Sequence, residues 1–143
     1  MLAAAALLGG CAAAPFVGSA PPERQVATPL SSRAADLETA PVVLYVSNQS
    51  FVDETVRLTV VVDGERVLDQ DVEVRGQHDF LPVPLDLGPG RHDLLVTTDS
   101  GARSDTPIEV PPVRGRRWVT AFYGTEDGTR VDVDVLAEPV AFG

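Results

Sequence analysis

With 143 residues the chain has room for one domain and not comfortably for two. Its hydrophobic fraction of 44% supplies a real core, and 22% charged residues is ordinary for a globular protein. The 21 acidic residues outweigh 11 basic ones, all of them Arg, for a net charge of −10 that repels phosphate backbones and argues against nucleic acid as a partner. This charge also gives no help in adsorbing to anionic lipid, so any membrane attachment must be covalent or hydrophobic. The single Cys excludes an internal disulfide.

The chain begins with an apolar run, Met-Leu-Ala-Ala-Ala-Ala-Leu-Leu, followed by Gly9, Gly10 and Cys11. About ten apolar residues cannot span a bilayer, which takes ~20, but they match the core of a signal peptide ahead of small residues. The segment Leu8-Gly9-Gly10-Cys11 resembles the lipobox of bacterial lipoproteins. The resemblance implies cleavage after residue 10, a thioether from the Cys11 thiol to diacylglycerol, and acylation of the new amino terminus. Several acyl chains at ~0.8 kcal/mol per buried CH₂ give stable anchoring. No Lys or Arg precedes the run, although signal peptides normally open with positive charge. Either the natural start lies upstream of Met1 or the segment is not a signal. The competing reading is an Ala-rich first helix with a buried Cys, which Gly9-Gly10 and Pro15 oppose. The lipobox reading places the protein in the cell envelope, on the outer face of the membrane. Ala12 after the Cys is compatible with the outer membrane in a two-membrane cell.

Residues 12–40 hold eight Ala, four Pro and five Ser or Thr, with no lasting period of 3.6 or 2. Such a stretch buries too little surface to offset its ordering entropy, and residues 11–40 are expected to be a lipidated Cys and a flexible tether reaching ~30 Å. A short helix over Ser32–Thr39, capped by Ser31 or Ser32, is the regular element it could hold.

Residues 41–143 carry the expected domain. Val42–Val46 is β-branched and aromatic, and Thr55–Val62 alternates with Val56, Leu58, Val60 and Val62 on one face. Asp63-Gly64 is the preferred two-residue hairpin dipeptide, and Arg66–Val74 returns. In Phe80–Leu87, the residues Leu81, Val83, Leu85 and Leu87 share a face while Pro82 and Pro84 point away, which predicts an edge strand. Gly88-Pro89-Gly90 turns into Arg91–Thr98, a short strand follows near Ile108–Val110, and Arg117–Tyr123 pairs with Arg130–Leu136 around Asp127-Gly128. A two-residue register there sets Phe122 opposite Val133 and Thr120 opposite Val135, with Val131, Val133 and Val135 as the buried stripe. Seven or eight short strands and no convincing helix predict an all-β, single antiparallel sandwich.

Three segments, residues 61–68 (Val-Val-Asp-Gly-Glu-Arg-Val-Leu), 87–96 (Leu-Gly-Pro-Gly-Arg-His-Asp-Leu-Leu-Val) and 115–124 (Gly-Arg-Arg-Trp-Val-Thr-Ala-Phe-Tyr-Gly), carry a second resemblance. Together they are similar to the uncharacterised immunoglobulin-like modules of secreted bacterial proteins and lipoproteins. The resemblance covers roughly Val42 to Val135. It implies an immunoglobulin-like sandwich outside the cytoplasm, and it brings no active site with it.

Chemistry-bearing residues are sparse. His78-Asp79 and His92-Asp93 invite a metal reading, but the hairpin puts the two histidines ~20 Å apart, whereas ligands of one metal converge within a few Å. Asp69, Asp71 and Glu73, like Asp132 and Asp134, diverge down solvated faces, unlike the converging oxygens calcium needs; a loop end such as Glu126-Asp127 is the remaining calcium candidate. Asn48-Gln49-Ser50 matches a glycosylation triplet and reads most simply as a turn. There is no Gly-x-Ser-x-Gly and no nucleophile with a placed base. Catalytic residues, metal and cofactor are therefore expected to be none.

Arg114, Arg116 and Arg117 form the one basic run, beside Trp118, and suit an anionic glycan or an acidic patch on a partner; the bland alternative is a solvated loop. The expected function is a non-enzymatic envelope lipoprotein, held to membrane lipid through Cys11 and binding an envelope protein or a cell-wall polymer. The alternatives are a small hydrolase or metal-dependent envelope enzyme, and an assembly or chaperone accessory acting by strand addition.

Overall fold

The computed structural model describes residues 24–28, 30–76, 79–113, 115–124 and 130–142. Met1 to Cys11, Arg114, His78 and residues 125–129 lie outside them, so the signal segment, the lipidation site and the calcium candidate at Glu126-Asp127 do too. Among the described residues there is no helix, and eight strands make two four-stranded sheets: β1 Val42–Asn48, β2 Thr55–Val62, β3 Glu65–Glu73, β4 Leu81–Leu85, β5 Gly90–Thr98, β6 Arg103–Val110, β7 Arg117–Tyr123 and β8 Val131–Leu136. The strand orders are β4-β1-β7-β8 and β3-β2-β5-β6. The chain is an all-β sandwich.

Alternation determines which side chains enter the core. Val56, Leu58, Val60 and Val62 of β2 are all buried, and they meet Leu44, Val46 and Val119 of the facing sheet in one cluster. Each fully buried Val or Leu contributes about 1.5–3 kcal/mol from water exclusion. Asp63 and Gly64 both adopt positive φ, 49° and 80°, which is what a tight hairpin between right-twisted strands requires. β1 is buried on both faces, consistent with its unbroken apolar run, and on the outer side Val43 sits between its register partners Pro84 and Trp118.

β4 is an edge strand, as its prolines require. Val42↔Leu85 and Leu44↔Val83 pair it with β1, and Pro82 and Pro84 occupy the alternate positions whose backbone faces outward. Every neighbouring pair is antiparallel except β1 with β7, which run parallel.

The last hairpin differs from expectation by one residue. Phe122 lies opposite Asp132 and Thr120 opposite Asp134, while Tyr123, Ala121 and Val119 pair with Val131, Val133 and Val135. Directly opposed residues share a face, so this register sets the valines beside the buried residues of β7. The pairing continues to Gly124, whose N–H donates to the Arg130 carbonyl; the turn expected at Asp127-Gly128 lies outside the described residues.

Residues 24–40 also differ from expectation. They do not stand away from the domain as a tether but lie along its side as a strap. Turns replace the short helix expected over Ser32–Thr39. The Gln25 side-chain amide donates to the Asp71 carbonyl (2.5 Å), and the Thr28 N–H donates to Gln70 Oε1 (2.9 Å) on β3. Further on, the Ala35 N–H donates to the Pro84 carbonyl and the Asp86 N–H to the Arg33 carbonyl, closing a bridge between Ala34 and Leu85 on the edge of β4. Ala40 is buried. The physical reason is unsatisfied edge: β3 and β4 each expose backbone groups that need partners.

At the other end of the described chain, Phe142 stacks on Phe80 (centroids 4.0 Å apart) and meets Tyr45 edge-on at 5.0 Å. Phe122 lies 5.3 Å from Phe80, which completes an aromatic cluster on the outer face of the β4-β1-β7-β8 sheet.

Candidate functional site

The strap spans the gap between β3 and β4 without filling it. A partly open cavity of about 300 Å³ remains beneath it. Val26, Ala27, Ala34, Ala35 and Leu37 of the strap face Val67 of β3 and Val83 and Leu85 of β4 across this space. The strap's small alanine side chains leave the space above the valines and leucine unfilled. Pro82 and Pro84 add rigid apolar wall, and the polar members are Arg24, Gln25 and Ser31. A concave, mostly apolar site with a few polar groups at its margin is the usual form of a small-molecule pocket.

Charge is distributed unevenly around it. None of the described residues lining the cavity is acidic, although the chain carries 21 acidic residues. Seven of the described arginines pair with carboxylates, among them Arg57 with Asp69 and Asp71, Arg66 with Asp69, and Arg130 with Asp132. Arg24, Arg116 and Arg117 have no carboxylate within ion-pair distance among the described residues.

The strap is held at its midpoint by an ionic knot. Arg33 Nε lies 2.8 Å from Glu65 and its terminal nitrogen 3.6 Å from Asp63. Asp63 also accepts from the Asp93 N–H and lies 2.7 Å from His92 Nδ1, while His92 Nε2 is 2.7 Å from the Gly88 carbonyl. Both imidazole nitrogens therefore face acceptors, and only the doubly protonated ring satisfies both. The hydrogen bond with Asp63 raises the His92 pKa above its ordinary value, against a smaller desolvation, and the same bond lowers that of Asp63.

Of the expected binding surface, Arg116, Arg117 and Trp118 come together at the start of β7, and Arg114 lies outside the described residues. The Arg116 guanidinium sits 5.8 Å from the Trp118 ring centroid and donates to the Leu37 carbonyl, which ties the strap's far end to this corner. Its buried Nε has no hydrogen-bond partner among the described residues. Arg117 donates to the Arg116 carbonyl and, through its own N–H, to that of Pro41. No group of three or more potential metal ligands occurs among the described residues.

A polar corner at the opposite end of the sandwich escaped sequence reasoning. The buried Asn48 amide donates to the Asp53 and Val72 carbonyls, and the Ser50 hydroxyl accepts from the Val52 and Asp53 N–H groups. The Tyr123 hydroxyl donates to Asp53 at 2.6 Å, and burial, more than that contact, raises its pKa. Gly124 is required here, because a Cβ would stand 2.5 Å from the Ser50 backbone. The corner presents Phe51 and Val52 to solvent, 78% and 72% exposed. The Asn-x-Ser spacing does signal a turn, as expected, and the rest depends on Tyr123 and Asp53, 70 residues apart.

Comparison with protein-family models, with curated proteins and with solved structures finds no match.

Proposed function

We propose that the protein is a non-enzymatic cell-envelope lipoprotein whose sandwich is a binding module displayed from the outer face of a membrane. The observation that carries this reading is Leu8-Gly9-Gly10-Cys11 at the end of an apolar run, ahead of a self-contained β-domain. The apolar cavity beneath the strap supports binding as the module's work. Partners reach the domain either through that cavity or through the corner of Arg116, Arg117 and Trp118, next in sequence to Arg114. The immunoglobulin-like likeness gains support from the order β3-β2-β5-β6 beside the β1–β4 pair, which parallels the C′-C-F-G and B–E neighbours of that fold. The β7–β8 hairpin, joined parallel to β1, is an addition to that plan.

The test is phase partition in Triton X-114. Wild-type protein from its native cells enters the detergent phase, and Cys11→Ser moves it to the aqueous phase. Wild type found in the aqueous phase ends the anchor reading.

A second reading, strand-addition assembly, is favoured by one observation: the edge of β4 already accepts an extended segment at Ala34. A partner strand would take the strap's place there. It predicts that an added peptide of residues 30–40 competes with the strap and increases proteolysis of residues 24–37.

A further inference from the structure

We infer that the cavity beneath the strap is a site for a single-chain amphiphilic anion of the fatty-acid type, with the hydrocarbon chain between β3 and β4 and the carboxylate at Arg24. The inference rests on the reading of the sandwich as a binding module and names its ligand. Three observations carry it.

The first is the wall. The cavity separates the strap from Val67, Val83 and Leu85, and water within it would find few groups to hold it. Buried waters need two to four polar partners, and apolar cavities without them take up apolar guests instead.

The second is size. At ~30 Å³ per water, and a methylene close to a water in bulk, the cavity of about 300 Å³ has volume for roughly ten carbons. That suits the volume of one acyl chain rather than the paired chains of a phospholipid.

The third is charge. No described residue lining the cavity is acidic, and Arg24 stands at its margin without a carboxylate partner among the described residues. On a protein of net charge −10, this puts a guanidinium without a described carboxylate partner at the margin of an apolar cavity. The strap is suited to admit the chain. Gln25, Thr28 and Gln70 hold its first part largely through exposed side-chain hydrogen bonds, so it parts from β3 without disturbing the sheet ladders.

The test uses the full unlipidated chain carrying Cys11→Ser, titrated calorimetrically with dodecanoate below its micelle concentration. The expected result is saturable one-to-one binding with a matching rise in melting temperature. Ala27→Phe fills the cavity from the strap side, outside all eight strands, and should weaken binding at least tenfold while the unliganded melting temperature stays close to the parent's. Arg24→Ser should weaken dodecanoate several-fold and leave dodecanol unchanged. Absence of saturable binding overturns the proposal, as does dodecanoate binding that Ala27→Phe leaves intact. Equal binding of dodecanol and dodecanoate, unaffected by Arg24→Ser, overturns the assignment of the carboxylate. Cosedimentation with phosphatidylglycerol vesicles that Ala27→Phe leaves unaltered, without dodecanoate binding, would assign the contact to a membrane surface and likewise overturn the proposal. Because the anchor is absent throughout, a negative titration leaves the detergent-partition result standing, and the reverse holds too.

Discussion

Along one side of the sandwich, β6 lies directly against β8, and Ile108, Val110 and Val131 carry the core out to that seam. Along the other side, β3 and β4 are joined by the strap, with a cavity behind it. Both seams meet the same need, which is to keep water from the space between two sheets. The β6–β8 seam does it with branched side chains on regular strands, and the β3–β4 seam with a segment of small residues hydrogen-bonded to both edges. A close-packed seam has no room for anything else. A strapped one exchanges some packing for access.

The contrast can be broken most strongly at the closed side. Ile108→Ala removes a side chain that is 1% exposed and should cost about 2–5 kcal/mol in urea unfolding, because the facing strands cannot collapse into the void. Val26→Ser, at a strap position 73% exposed, should stay within ~0.5 kcal/mol. Equal losses would mean that the two seams are packed alike.

Removing the strap tests the open side as a whole. A chain beginning at residue 38 loses the Ala34–Leu85 bridge and uncovers Val67, Val83 and Leu85. The expected cost is about 1–2 kcal/mol, or on the order of 10 °C in melting temperature. An unchanged melting temperature would return residues 24–37 to the role of a loose tether.

The smallest effect is expected at the ionic knot, which sharpens the comparison because it belongs to the strapped side alone. His92 has a raised pKa when folded, so its stabilisation is complete below about 6.5 and is lost as the pH rises through the folded value. Asp63 has a lowered one, so its share is present above about 3.9 and is lost as the pH falls through the depressed value. Between those limits His92→Gln should cost about 1 kcal/mol, and the difference from wild type should shrink toward pH 9. Desolvation, and to a lesser degree Arg33 facing Asp63 from the strap, opposes protonation of His92. Urea melts of both proteins at pH 5.5 and pH 9 measure it. A gap that widens with pH would contradict the protonated clasp.

The two seams also differ in how far the sequence discloses them. The alternation of Val56, Leu58, Val60 and Val62 identifies the core face of β2, and the paired prolines of β4 announce an edge. Both are local patterns with a period of two. Alternation fixes which residues of β7 and β8 share a face but not which of them stand opposite, so the observed register differs from the expected one by one residue. The strap was illegible for a different reason. Its attachment depends on the side chains of Gln25 and Gln70, 45 positions apart, and on carbonyls of β4 that no composition reveals. The cavity is harder still. Val67, Val83 and Leu85 read correctly as core residues, but the space in front of them arises from a mismatch between two surfaces.

The prolines of β4 have one more consequence, for encounters between molecules. With Pro82 and Pro84 at the outward positions, the outer edge within Leu81–Leu85 presents carbonyl oxygens and no N–H groups, and the strap's Ala35 N–H takes the Pro84 oxygen. Two copies meeting β4 to β4 would set acceptor against acceptor, so a symmetric continuous sheet cannot form across that edge. Only a strand that brings its own donors can dock, as the strap does through Ala35. The edge thus has a chemical polarity: it favours unlike segments over its own copy, and many such domains crowded together keep their sheets from merging along β4.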